Sequence, residues 1–120
     1  MSILIVDDEK DVRDSLQELL EYEGYAVQTA ANGAEALELL QGSELPCVMI
    51  LDLIMPVVSG NDVYARMQND SRLARVPVII SSSDPSRAPS GVLIMKKPWN
   101  LRRLLGTIRD HCRRERDTVF

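Results

Sequence analysis

What this 120-residue chain has little of narrows its function before any motif is read. It has one histidine, His111, and two cysteines, Cys47 and Cys112. A metal cluster of Cys and His cannot be assembled from that set, and two cysteines make no disulfide framework. A reducing cytoplasm is therefore the expected compartment. No apolar run approaches the ~20 residues that a membrane-spanning helix needs. The opening MSILIVDDE is apolar for only a few positions and carries no basic leader, so it does not read as a signal peptide. Aromatic residues make up only 4% of the chain, and none interleaves with the arginines between positions 102 and 116, which Asp110 and Glu115 also interrupt, so a nucleic-acid face there is disfavoured.

What is present is an ordinary globular balance, 45% hydrophobic and 27% charged, at the length of one domain. The net charge of −4 hides a split. Residues 1–60 carry twelve acids against Lys10 and Arg13, a net of −10, and residues 61–120 carry six acids against twelve bases, a net of +6. The chain is neither a uniformly acidic protein nor a uniformly basic binder. It has an acidic end and a basic end.

The apolar pattern alternates short runs with helical stretches. Ile3–Val6 is fully apolar, as a strand buried on both faces requires. Val12, Leu16, Leu19, Leu20 and Glu23 follow at helical spacing, which ends at Gly24 as a C-terminal cap. Tyr25–Ala30 reads as a second, weaker strand. Asn32 and Glu35 open the next helix in a capping-box pattern, with Ala36, Leu37, Leu39 and Leu40 as its apolar face. Cys47–Leu51 is a third strand closed by Asp52, and a Pro/Gly-bearing loop from Met55 to Gly60 leads to a helix around Asp62–Asn69. Val76–Ile80 and Val92–Met95 are the fourth and fifth strands. Asn100 then caps a final helix with a buried stripe of Leu101, Leu104, Leu105, Ile108 and Cys112. This alternation predicts an α/β fold of the flavodoxin-like doubly wound class, a five-stranded parallel sheet in the order 2-1-3-4-5. Between Ser82 and Val92, Pro85 and Pro89 leave no room for a normal fourth helix, since an interior proline costs about 3 kcal/mol. The expectation there is a loop or a single turn.

In such a sheet, ligands bind beyond the carboxyl ends of the strands. Those ends carry Asp7, Asp8 and Glu9 after strand one, Asp52 after strand three, Ser81–Ser83 after strand four and Lys97 after strand five. Strands one and three are neighbours in this order, so three aspartates converge. Their mutual repulsion calls for a cation, and oxygen donors without histidine select a hard ion, Mg2+ first. Three carboxylates, one ammonium and one Mg2+ sum formally to −3 + 1 + 2 = 0. A carboxylate can attack phosphorus to give an aspartyl phosphate, with cationic groups neutralising the charge on the equatorial oxygens.

These residues carry a resemblance. The chain is similar to the response-regulator receiver domains (CheY-like) of two-component signalling, over residues 1–112. The features that carry it are ILIVDDE, Asp52 in DLIMPVVSG, the PVIISS strand with its terminal hydroxyl, and Lys97-Pro98, in that order and spacing. The resemblance implies that Asp52 is the phosphoacceptor and that Asp7, Asp8, Asp52 and the carbonyl of Ile54 hold Mg2+. It implies that Ser82, with Ser83 as the alternative, bonds the phosphoryl group, and that Lys97 pairs with it. A cis bond before Pro98 would aim the lysine inward. The implied donor is a sensor histidine kinase or a phosphotransfer protein. The chain would then be a phosphorelay acceptor on its own side chain and not an enzyme with turnover.

The chain also departs from the family. Ile94 stands where the family has an aromatic residue three positions before the lysine, and the helix before strand five is missing or reduced. Trp99 reads as a packing residue at the helix entry and His111 as surface polarity. Arg102, Arg103, Arg109, Arg113, Arg114 and Arg116 form a basic face, either solvated or a partner surface, with residues 113–120 as a charged tail. Because no output domain follows, the chain reads as a stand-alone regulator or as a receiver cut from a longer protein. The competing class is a pseudo-receiver, an interaction module that is not phosphorylated. A phosphatase with an aspartyl-phosphate intermediate lacks room here for its added cap. A flavin site does not suit the acidic loop after strand one.

Overall fold

The computed structural model describes residues 2–42, 44–55, 58–84, 86, 88–89, 93–97 and 100–112. Its strands are β1 (Ile3–Val6), β2 (Val27–Ala30), β3 (Val48–Asp52), β4 (Val78–Ser82) and β5 (Leu93–Lys96). Its helices are α1 (Lys10–Tyr22), α2 (Gly33–Leu39), α3 (Gly60–Gln68) and α4 (Leu101–His111). All strand pairs are parallel and the order is β2-β1-β3-β4-β5. This is the doubly wound sheet that the sequence predicts.

The apolar runs are unbroken in β1 and β3 because both faces of the central strands are covered. Leu4, Val6, Met49, Leu51 and Ile80 face one cluster with Ala36 and Leu40 from the α2 region and Val63 and Met67 of α3. Ile3, Ile5, Val48, Ile50 and Ile79 face the other, with Leu16 and Leu20 of α1 and Leu104 and Ile108 of α4. Local chemistry sets the helix ends. Asn32 accepts from the Glu35 N–H at 2.8 Å, Ser59 from Asp62 at 3.1 Å and Asn100 from Arg103 at 3.1 Å, so each satisfies an otherwise unpaired donor. Gly24 ends α1 at φ 97°, a conformation that favours glycine. A 3-10 turn at Leu73–Arg75, which the apolar pattern does not foreshadow, precedes β4. Just before it, the Arg72 guanidinium donates to the carbonyls of Leu40 and Gly42 and ties the end of α2 to this connection.

Three expectations are corrected or completed. Leu101 is 49% exposed rather than part of the buried stripe, which consists of Leu104, Ile108 and Cys112 with Leu105 half-buried. It stands in the first turn of α4; periodicity fixes which side of a helix faces the sheet, not how far along the helix the sheet reaches. The reading that two cysteines make no disulfide framework is corrected to a single bridge, since Cys47 and Cys112 are bonded across 65 positions of chain. Between β4 and β5 none of the described residues is in an α-helix, in keeping with the prolines there. The expectations for Pro98, Trp99 and residues 113–120 fall outside the described residues.

Candidate functional site

The carboxyl ends of β1 and β3 lie side by side because Val6 registers with Leu51, so each strand delivers its next residue to the same edge. Asp7 follows β1, with its N–H donating to the Ala30 carbonyl at 3.2 Å, and Asp52 is the last residue of β3. Both are buried, at 3% and 7% exposure, while the adjoining Asp8 is exposed. One carboxylate oxygen from each of Asp7, Asp8 and Asp52 lies within 4.8 Å of the others.

Lys97, just past β5, closes the cluster. Its Nζ donates to Asp7 Oδ2 at 2.9 Å and stands 3.6 Å from Asp52 Oδ1. The Lys97 backbone N–H donates to the Ser82 carbonyl at 2.9 Å, which seats the ends of β4 and β5 together. Ser82 is buried at the end of β4, and its Oγ accepts the Asp84 N–H at 3.0 Å. Across β3 and β4 it is Ser81, also buried, that registers with Asp52. Ser83 is exposed. Ile54 lies two residues beyond Asp52 with its side chain 51% exposed. Ile94 is half-buried against the α2–α3 cluster.

The electrostatics follow from this crowding. Burial, then the negative charge of Asp7 and the nearness of Asp8, push the Asp52 carboxyl up to about 6 against the pull of Lys97. Burial works against the Lys97 ammonium, yet its bond to Asp7 and the charges of Asp52, Asp7 and Glu9 raise its pKa overall. A buried carboxylate that resists ionisation, among two others and one ammonium, is a site short of positive charge. Its donors are all oxygens, which suits a hard divalent cation.

Two supporting residues are not singled out by the sequence pattern. Arg13, on α1, donates from Nη1 to the Asp7 carbonyl at 2.8 Å and fixes the turn that aims Asp7. Its signal was its rarity, as one of two bases in residues 1–60; the other, Lys10, is spent on the exposed Asp14 at 2.6 Å. Gly60 opens α3 with its N–H donating to the Leu53 carbonyl at 2.9 Å. A Cβ at that position would sit 2.3 Å from the Asp52 carbonyl oxygen and 2.7 Å from the Leu53 Cα. Only glycine lets α3 start this close to the strand end. Within the described residues a pocket lined by Tyr64, Pro77, Val78, Leu93 and His111 lies at the opposite ends of the strands, away from the acids.

The chain is similar to known proteins in both sequence and fold. Residues 3–109 match the response regulator receiver domain family. The chain is 52% identical to the response regulator SaeR of Staphylococcus epidermidis over 67 residues, which is 56% of this chain and 28% of SaeR. It is 32% identical to the response regulator MprA of Mycobacterium avium over 119 residues, 95% of this chain and 52% of MprA. It thus spans about half the length of the MprA relatives that it matches. Among solved structures, the response regulator TrrA of Thermotoga maritima, in complex with Mg2+-BeF, superposes with a TM-score of 0.80 at 28% identity, covering 93% of this chain and all of that one. The chemotaxis protein CheY4 of Vibrio cholerae gives 0.80 at 29% identity, over 92% and 98% of the two chains.

Proposed function

The chain belongs to the response-regulator receiver family, and from that premise we propose that it takes a phosphoryl group onto Asp52 from the phosphohistidine of a sensor kinase or phosphotransfer protein. The observation that carries this reading is the convergence of Asp7, Asp8 and Asp52 within 4.8 Å, with Lys97 reaching from β5 to the two buried carboxylates. A side chain that only ended a strand would have no need of the other two acids or of the ammonium.

In the proposed reaction, an Asp52 carboxylate oxygen attacks the phosphorus, the P–N bond of the donor breaks, and the imidazole leaves with its electron pair. Asp7, Asp8, Asp52 and the Ile54 carbonyl are the groups that would hold Mg2+, the ion present in the TrrA complex. When bound, the ion neutralises charge on the phosphoryl oxygens and lets the acids ionise together. Lys97 pairs with a phosphoryl oxygen, exchanging part of its contact with Asp7 for the new anion. Ser82 donates its hydroxyl once it turns from the Asp84 N–H, and Ser81 and Ser83 are the alternatives that its neighbours offer. The chain is acceptor and not catalyst of turnover, and its site serves one bond at a time.

The test is incubation with Mg2+ and acetyl phosphate, read by intact mass. A gain of one phosphoryl group that Asp52→Asn abolishes is the expected result. No gain at high donor concentration would sink the reading and leave the pseudo-receiver module, whose acids serve only to bind.

A further inference from the structure

The chain's two cysteines lie at the opposite end of the sheet from the acid cluster, and they are bonded to each other. Their Cα atoms are 5.4 Å apart, and both residues are 7% exposed within the cluster formed by Ile3, Val48, Leu104 and Ile108. Cys47 directly precedes β3, and its N–H donates to the Ser2 carbonyl at 2.9 Å. Cys112 caps α4 in extended conformation, at φ −125° and ψ 142°. The end of α4 therefore has no left-handed glycine of the kind that closes α1. The bridge ties the last turn of α4 to the residue that precedes β3.

Both oxidation states fit this place. Cys47 Sγ lies 3.5 Å from the Ser2 carbonyl oxygen. A disulfide sulfur has no proton to give that oxygen, whereas a thiol there would donate to it. The dithiol form thus finds an acceptor already in position, and the pocket around it is apolar enough to take two small thiols without a buried charge.

We propose that Cys47 and Cys112 form a reversible thiol–disulfide switch that fastens and releases the last turn of α4. A dithiol oxidoreductase opens it: one partner thiolate attacks Cys112 Sγ, Cys47 leaves as thiolate and takes up a proton, and the partner's second thiol displaces Cys112, which is protonated in turn. The chain gains two electrons and two protons, and the partner becomes the disulfide. A small-molecule disulfide closes the switch by the reverse exchange, releasing two small thiols. Cys112 is the sulfur of entry because a helix end opens more readily than a residue joined to the ladder of a central strand. In a reducing compartment such pairs are usually transient and redox-sensing, which is the use assigned here.

The experiment uses the whole chain, oxidised with glutathione disulfide or reduced with dithiothreitol. Alkylation read by intact mass is expected to find no thiol in the oxidised protein and two in the reduced one. Reduction is expected to lower the thermal midpoint by about 10 °C, as release of a long closed loop should, and to speed amide exchange at Arg109–Cys112 more than in β3. Glutathione disulfide should restore the starting state. Cys112→Ala is expected to sit near the reduced midpoint and to ignore the reductant. Two alkylatable thiols after glutathione disulfide, or equal midpoints in both states, would overturn the proposal. Should Cys112→Ala fail to fold, the oxidised and reduced wild-type chain decides alone. Phosphorylation at Asp52 is a separate reading and its outcome does not enter this test.

Discussion

Asp52 shows how burial and a neighbouring charge set the protonation of a carboxylate in a candidate metal-binding cluster. Burial and the Asp7 charge hold its carboxyl at about 6, against an ordinary value of 3.8. A raised carboxyl favours the folded, metal-free chain while it stays protonated. That contribution is present in full below the ordinary value and is lost as pH rises through about 6. A cation bound by the ionised acids has the opposite preference, because it needs the proton gone. Mg2+ affinity is therefore expected to be level above pH 7 and to fall roughly tenfold for each unit below about 6. Thermal midpoints across a Mg2+ titration at pH 7.5 and 5.0 measure it, and equal affinities at both would contradict the account. At this scale the sequence shows a good deal. Asp7, Asp8, Asp52 and Lys97 are legible from strand ends alone, whereas the bond from Arg13 to the Asp7 carbonyl depends on a helix turn that no pattern reveals.

Between elements, the close approach of α3 to the end of β3 is the feature that sequence reading misses. Gly60 stands in a loop recognisable as Pro/Gly-bearing, but the reason for the glycine is the Asp52 carbonyl that would lie 2.3 Å from a Cβ. Gly60→Ala must push α3 away or twist the strand end that aims Asp52. Overpacking of this kind costs about 1–3 kcal/mol, so the midpoint should drop by several degrees and phosphorylation should slow together with it. A chain that keeps both its midpoint and its rate as Gly60→Ala would show that α3 is not tightly seated. The order of elements is legible because β runs and helical stripes differ in period, and the helix caps at Asn32 and Asn100 because their chemistry is local. The exposure of Leu101 and the bridge between Cys47 and Cys112 are not. Each depends on where distant parts of the chain come to rest.

For the whole molecule, the split of charge along the chain becomes a matter of sequence in time. The acids of the site are all supplied by residue 52, on strands that pair with each other, while Lys97 arrives with the last strand. Any route that assembles β1 and β3 first brings the carboxylates together before their ammonium is present. That early species is opposed by its own repulsion, and docking of β5 relieves it. Mg2+ is thus expected to accelerate refolding, and to do so more strongly in Lys97→Ala than in the natural chain. Stopped-flow refolding with and without Mg2+ measures this; rates that ignore Mg2+ in both chains would argue that the acids meet only after β5 has docked. The strand at the edge of the sheet is then also the one whose docking brings the ammonium that relieves this repulsion.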